Sequence, residues 1–239
     1  EYARVYSLIF GLLCSLLVYV LANKISGKKC AYISIIIFGL NLFIIWQSNE
    51  IRPHSFVLFF SLLNLIFFIK IIEKKNNLFL SISYFLSSVI LLSSWPFDLT
   101  IYFAKTIYIL INFKLKNIEY EKILLLFFLI LISYILINHD YLIYHLNRTE
   151  HYTNLEISFF YSFHFRSFFG SIPMGGLVIL LFGVLFLKDL KRNLYSEDNV
   201  NILLYVIFST YFLVIAYSIL RACVISQKYV IFILPLIIV

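Results

Sequence analysis

Apolar runs of about membrane-crossing length succeed one another along nearly the whole chain. They fall near 5–23, 30–48, 54–72, 78–95, 97–113, 122–138, 173–187 and 200–220, and another begins near 229. A spanning helix needs roughly 20 apolar residues. The breaks are GKK (27–29), NEIRP (49–53), EKKNN (73–77), WPFD (95–98), KLKNIEYEK (114–122), a longer stretch at 139–172, then 188–199 and 221–228. Lipid offers an open backbone no partner, so spanning segments are helices or closed barrels. Period-two alternation is absent and the runs exceed the length of barrel strands. The expectation is an all-α integral membrane protein, a polytopic helix bundle of eight complete spans plus part of a ninth. It is read as a single membrane domain over 1–239, with an aromatic loop at 139–172 inside it. A water-soluble reading fails on composition: 62% of residues are hydrophobic and 13% charged, where soluble domains carry about 25% charged residues.

The net charge of +7 does not point to nucleic acid, because the bases sort by break. Breaks one, three, five and seven hold or adjoin Lys24, Lys28, Lys29, Lys70, Lys74, Lys75, Lys114, Lys116, Lys122, Lys188, Lys191 and Arg192. The other breaks and the N-terminal edge hold Arg4, Arg52, Arg148, Arg166, Arg221 and Lys228. Twelve against six, alternating throughout, places the odd breaks in the cytoplasm by the positive-inside rule. The opposite face therefore carries five Arg and one Lys, the cytoplasmic face eleven Lys and one Arg. Topology needs only charge, whereas Arg adds a planar fork that grips phosphate or carboxylate at two points. An extracytoplasmic face that handles an anionic group follows.

Glu50 and Arg52 stand two residues apart in NEIRP, and Pro53 stiffens the turn and ends it where the next run starts. Lys105 lies near the middle of the fifth run, where a lysine costs roughly 2.5–3.5 kcal/mol to insert. Asp98 is about 10 Å away by helix rise, too far to touch it. Lys105 therefore needs another partner or a bound phosphate, unless it snorkels to an interface. Arg221 and Lys228 bracket the last break and suit either a phosphate clamp or an interfacial anchor. The 139–172 stretch is amphipathic and aromatic, as an interfacial helix or lid would be. His139, His145 and His151 recur every six residues, which stacks them on no helix face. Cys14, Cys30 and Cys223 show no ligand spacing and read as packing. No metal site is expected, although dependence on a divalent metal is left open. Asn147-Arg148-Thr149 has the pattern of a sequon, with meaning only in a secretory compartment. Gly175, Gly176 and Gly183 read as close helix contacts. Both ends read as cut, since Glu1 opens at a span and YVIFILPLIIV stops inside one.

Arg4-Val5-Tyr6-Ser7-Leu8-Ile9-Phe10-Gly11, followed two spans later by WQSNEIRPHSF, resembles the GT-C-fold polytopic glycosyltransferases. More narrowly it resembles the dolichyl-phosphate-mannose protein mannosyltransferases and the lipid-linked aminoarabinose transferases, with their R-x-x-S-x-x-x-G and S-x-E-x-R patterns. Gln227-Lys228-Tyr229 and the run to Pro235 resemble the start of a late helix in that group. The likeness is closest over 4–72 and 226–239, and topological between. It implies transfer of a sugar from a polyprenyl-phosphate carrier to a glycan, lipid or protein acceptor on the extracytoplasmic face. The carried sugar would be the donor substrate, membrane lipids the surroundings, and no cofactor is certain. It also implies a supporting catalytic role for Glu50, with the main acid on a segment before Glu1. Arg52, Lys105, Arg221 and Lys228 would bind the lipid phosphate, and His54, Tyr102 and Tyr229 would position substrate. The chain departs from the pattern at Ile101, His54 and Lys228, positions that bear on the sugar. A bacterial plasma membrane is the expected location, or the endoplasmic reticulum in a eukaryote. Rival readings are a non-catalytic membrane subunit and a lipid-linked glycan ligase or flippase.

Overall fold

The computed structural model describes residues 2–73, 78–94, 99–112, 120–147, 170–171, 173, 175–177, 180, 198–220 and 232–239. All regular secondary structure among them is helical. Helix α1 runs Tyr2–Ser26. It stops at Gly27, whose φ of 85° is a left-handed value that glycine adopts without a Cβ penalty. Helix α2, Lys28–Gly39, folds back against α1, and the Tyr19 and Tyr32 rings meet at 5.4 Å.

The run expected as one span over 30–48 is two helices. After α2 the axis bends by 58° into α3, Leu42–Asn49. Asn41 makes the break: its Oδ1 accepts from the Phe43 and Ile44 amides at 3.0 and 3.1 Å. Those amides start a new helix and have no carbonyl behind them, so a side-chain cap replaces one. Glu50 ends α3 in extended backbone, and α4, His54–Ile72, begins directly after Pro53. There follow α5, Leu78–Ser94, α6, Leu99–Asn112, α7, Tyr120–Ile137, and α8, His139–Asn147. Helix α9, Asp198–Leu220, and α10, Ile233–Ile238, complete the described elements.

Among the described residues three helices are long and apolar enough to cross a membrane: Arg4–Ser26, His54–Ile72 and Ile202–Ile219. The bent pair α2–α3 makes a fourth if it counts as one span, while α5, α6 and α7 are apolar but shorter. Leu12, Phe128, Phe208 and Phe212 stand exposed on these helices. Such surfaces are at home in lipid and would aggregate in water. These features fit an integral membrane protein. Most of the expected span at 173–187, the start of the run near 229 and residues 148–169 of the aromatic stretch lie outside the described residues.

The chain divides into two compact units. The first comprises Glu1–Phe56, Asn154–Asn201 and Ile225–Val239, the second Val57–Thr153 and Ile202–Val224. In the first, α1 packs on both α2 and α3, and α10 lies on α2, where Ser34 Oγ donates to the Ile238 carbonyl at 3.1 Å. Its α1 face carries Tyr6 and Phe10 against Phe56. In the second, α7 packs on α5, α6 and α8. Phe68 of α4 meets Tyr84 of α5, Tyr108 of α6 and Phe127 of α7 at 6.1–6.4 Å, in the offset and edge geometries that aromatic quadrupoles favour. Tyr108 also meets Tyr205 of α9 at 5.5 Å.

Candidate functional site

The NEIRP turn lies in the first unit and closes a buried polar corner. Gln47 and Ser48, in the last turn of α3, are buried, as are His54 and Ser55 at the start of α4. Ser7 and Gly11 of α1, four residues apart and so on one helix face, are buried too. Gly11 is where the backbone comes closest: a Cβ there would overlap Ser48 Oγ and stand 3.0 Å from Ser48 Cβ. Ser55 Oγ donates to Ser48 Oγ at 3.5 Å, and Cys14 Sγ donates to the Ser55 carbonyl at 3.6 Å. The two short sequence patterns, Ser7 with Gly11 and Ser48 with Glu50 and Arg52, thus belong to one packed region.

Glu50 and Arg52 form an ion pair, with Nε 3.4 Å from Oε2. The Arg52 side chain is half exposed and that of Glu50 only 22%. Oε2 itself is buried and accepts no hydrogen bond among the described residues, so the contact is one of charge, without a donor aimed at the lone pair. Three residues earlier, Gln47 has both Nε2 and Oε1 buried with no hydrogen-bond partner among the described residues. Buried polar atoms in native proteins are nearly always paired. Single hydroxyls are left this way at Ser61, Tyr84, Tyr134 and Thr210, but Gln47 leaves a whole carboxamide.

Lys105 lies in the second unit and is 1% exposed. Its Nζ donates to Asn64 Oδ1 of α4. The ammonium also stands 5.6 Å from the Phe68 ring centre and 5.7 Å from that of Tyr84, within cation–π range. Asn64 is engaged at its other end: Nδ2 donates to Ser88 Oγ at 2.7 Å, Ser87 Oγ at 2.9 Å and the Tyr84 carbonyl at 3.3 Å. Both serines donate in turn to that carbonyl, at 3.0 and 2.8 Å. Beside this cluster is a cavity of about 10 Å³, lined by residues that include Asn64, Ser88, Tyr102 and Lys105. That is room for about one water. Tyr102 is buried and donates its hydroxyl to the Phe127 carbonyl.

Of the residues expected to form a site, Glu50, Arg52 and His54 share one turn, and Tyr102 and Lys105 line one cavity. Arg221, Lys228, Tyr229 and Asp98 lie outside the described residues. The partner that Lys105 needed is Asn64, together with two aromatic faces. Sequence reading did not single out Gln47, Asn64 or Asn41. Each is a carboxamide inside an apolar run, and that is the signal that would have found them. No group of three or more potential metal ligands occurs among the described residues. Compared with known proteins, the chain matches no described family, and no curated protein or solved structure resembles it significantly.

Proposed function

We propose that this chain belongs to a membrane glycosyltransferase that moves a sugar from a polyprenyl-phosphate carrier to an acceptor on the extracytoplasmic face. The proposed architecture is a GT-C-like bundle of eight complete spans and part of a ninth, in a bacterial plasma membrane or an endoplasmic reticulum. The observation that carries the reading is the Glu50–Arg52 turn. A half-exposed guanidinium stands at the end of apolar helices, 3.4 Å from a carboxylate oxygen that is buried and accepts no hydrogen bond among the described residues.

In the transfer, the acceptor oxygen bonds to the anomeric carbon as the bond from that carbon to the carrier phosphate breaks. The acceptor proton passes to a carboxylate, and the carrier leaves as the phosphate with the bonding pair. Charge accumulates on that phosphate. A guanidinium held at the membrane surface opposes it with little reorganisation, the kind of stabilisation that contributes most in enzymes. Glu50 orients Arg52 and supports the proton transfer.

The test is single-sugar transfer by the complete protein, using undecaprenyl-phosphate-linked donors in vesicles. Arg52→Ala is expected to lower turnover about 100-fold or more, and Glu50→Gln by a smaller factor. Normal turnover in both variants would end the reading. Transfer of a preassembled glycan block in place of single sugars would reassign the protein as a ligase.

A further inference from the structure

Helix α1 ends at Ser26 and α2 starts at Lys28, so a single residue, Gly27, joins them. Its φ of 85° allows so tight a reversal. Lys24, Lys28 and Lys29, within six positions of one another, are thereby gathered at one end of the helix pair. Lys28 and Lys29 are exposed, and neither pairs with a carboxylate among the described residues. The flanking sequence offers none, since residues 2–49 contain no Asp or Glu. Lys24 lies in the last turn of a helix long and apolar enough to cross a bilayer. The three charges therefore stand where such a helix leaves the hydrocarbon. Tyr32 follows four residues after Lys28, one turn deeper on the same face. It is 53% exposed, and its ring meets that of Tyr19 at 5.4 Å.

We propose that this turn binds the headgroup of an anionic glycerophospholipid, independently of any sugar transfer. Three ammonium groups on flexible stems converge there, and each adds to the attraction for a negative membrane surface. Depth separates a glycerophospholipid from other lipid anions. Tyr32 lies about 6 Å along the helix from Lys28, and the headgroup layer on each side of the hydrocarbon is about 5–7 Å thick. With the lysines at phosphate level, the Tyr32 phenol reaches the layer of the acyl ester carbonyls, which accept its hydroxyl proton. Tyrosine favours that boundary. A polyprenyl phosphate is hydrocarbon from its phosphate inward and has no acceptor at that depth. By the alternation of basic residues this turn faces the cytoplasm, where the leaflet is negatively charged, and the Glu50–Arg52 turn faces the other side. The occupant is thus a lipid of the membrane itself and not the sugar carrier.

The experiment is native mass spectrometry of the complete protein, released from detergent with added lipid, which counts the lipid that stays bound. Phosphatidylglycerol is expected to be held about tenfold or more tightly than phosphatidylcholine. Against undecaprenyl phosphate the expected margin is about fivefold, as one hydrogen bond implies. Lys28→Gln and Lys29→Gln are each expected to weaken phosphatidylglycerol about fivefold and to leave phosphatidylcholine unchanged. Should a lysine variant fail to insert, Tyr32→Phe keeps every charge. It is expected to erase only the margin between phosphatidylglycerol and undecaprenyl phosphate. Equal retention of phosphatidylglycerol and phosphatidylcholine by the unaltered protein overturns the inference. So does a phosphatidylglycerol preference that survives both lysine substitutions together. Undecaprenyl phosphate held as tightly as phosphatidylglycerol overturns it as well, and would assign the turn to the carrier.

Discussion

Two buried carboxamides, one in each unit, meet opposite fates. Asn64 of the second unit is saturated, its oxygen taken by Lys105 and its nitrogen by two serines and a carbonyl. Gln47 of the first unit is as deeply buried and finds no partner among the described residues. A polar group taken out of water without a partner costs about 1–3 kcal/mol, and a network met on every side holds a fold together. The Asn64–Lys105 cluster is thus met on every side by neighbouring helices, and the Gln47–Glu50 corner is not met among the described residues. Burial of polar residues alone would have ranked them the same. Satisfaction separates them.

The contrast breaks most readily at Asn64. Asn64→Leu removes an amide acceptor from the buried Lys105 ammonium and is expected to cost about 1.5–3 kcal/mol, read as a lower unfolding midpoint in detergent. Adding Lys105→Met is expected to restore most of the loss, because replacing both partners of a buried hydrogen bond by apolar groups is nearly neutral. A single variant as stable as the unaltered protein would show the cluster holds nothing together. Next in size is Gly11→Ala, which sets a methyl against Ser48 and is expected to cost about 1–3 kcal/mol. Rescue by Ser48→Gly would place that cost at the approach of α1 to α3. No effect would mean the polar corner is looser than Gly11 implies.

Asn41 sharpens the comparison inside the first unit, since it lies six residues before Gln47 in sequence and is capped to two amides. Asn41→Ala is expected to lower stability by about 1 kcal/mol. Gln47→Met is expected to raise stability by about 1–3 kcal/mol, because no hydrogen bond is lost and the cost of the unpartnered carboxamide is relieved. A Gln47→Met loss as large as that of Asn64→Leu would collapse the distinction between the two carboxamides.

Several boundaries were legible from residues alone. The run at 54–72 is the helix His54–Ile72, and the one at 78–95 is Leu78–Ser94. Such ends are local: a charged break or a proline stops an apolar helix whatever packs beside it. The 58° bend was not legible from hydropathy, because one asparagine hardly lowers the average of an apolar run. Gly39 and Asn41 carried that information as a stop followed by a cap. The Glu50–Arg52 pair was legible because it is two residues wide. The Lys105–Asn64 pair was not, since 41 positions separate its members.

By itself, then, the sequence determined that the chain is helical and apolar enough for a bilayer, and that a carboxylate and a guanidinium meet in one turn. Those properties follow from neighbours along the chain, through hydropathy and turn chemistry. Which buried polar groups are satisfied was decided only by tertiary packing. A carboxamide's partners come from other helices, and no local pattern records whether they arrive.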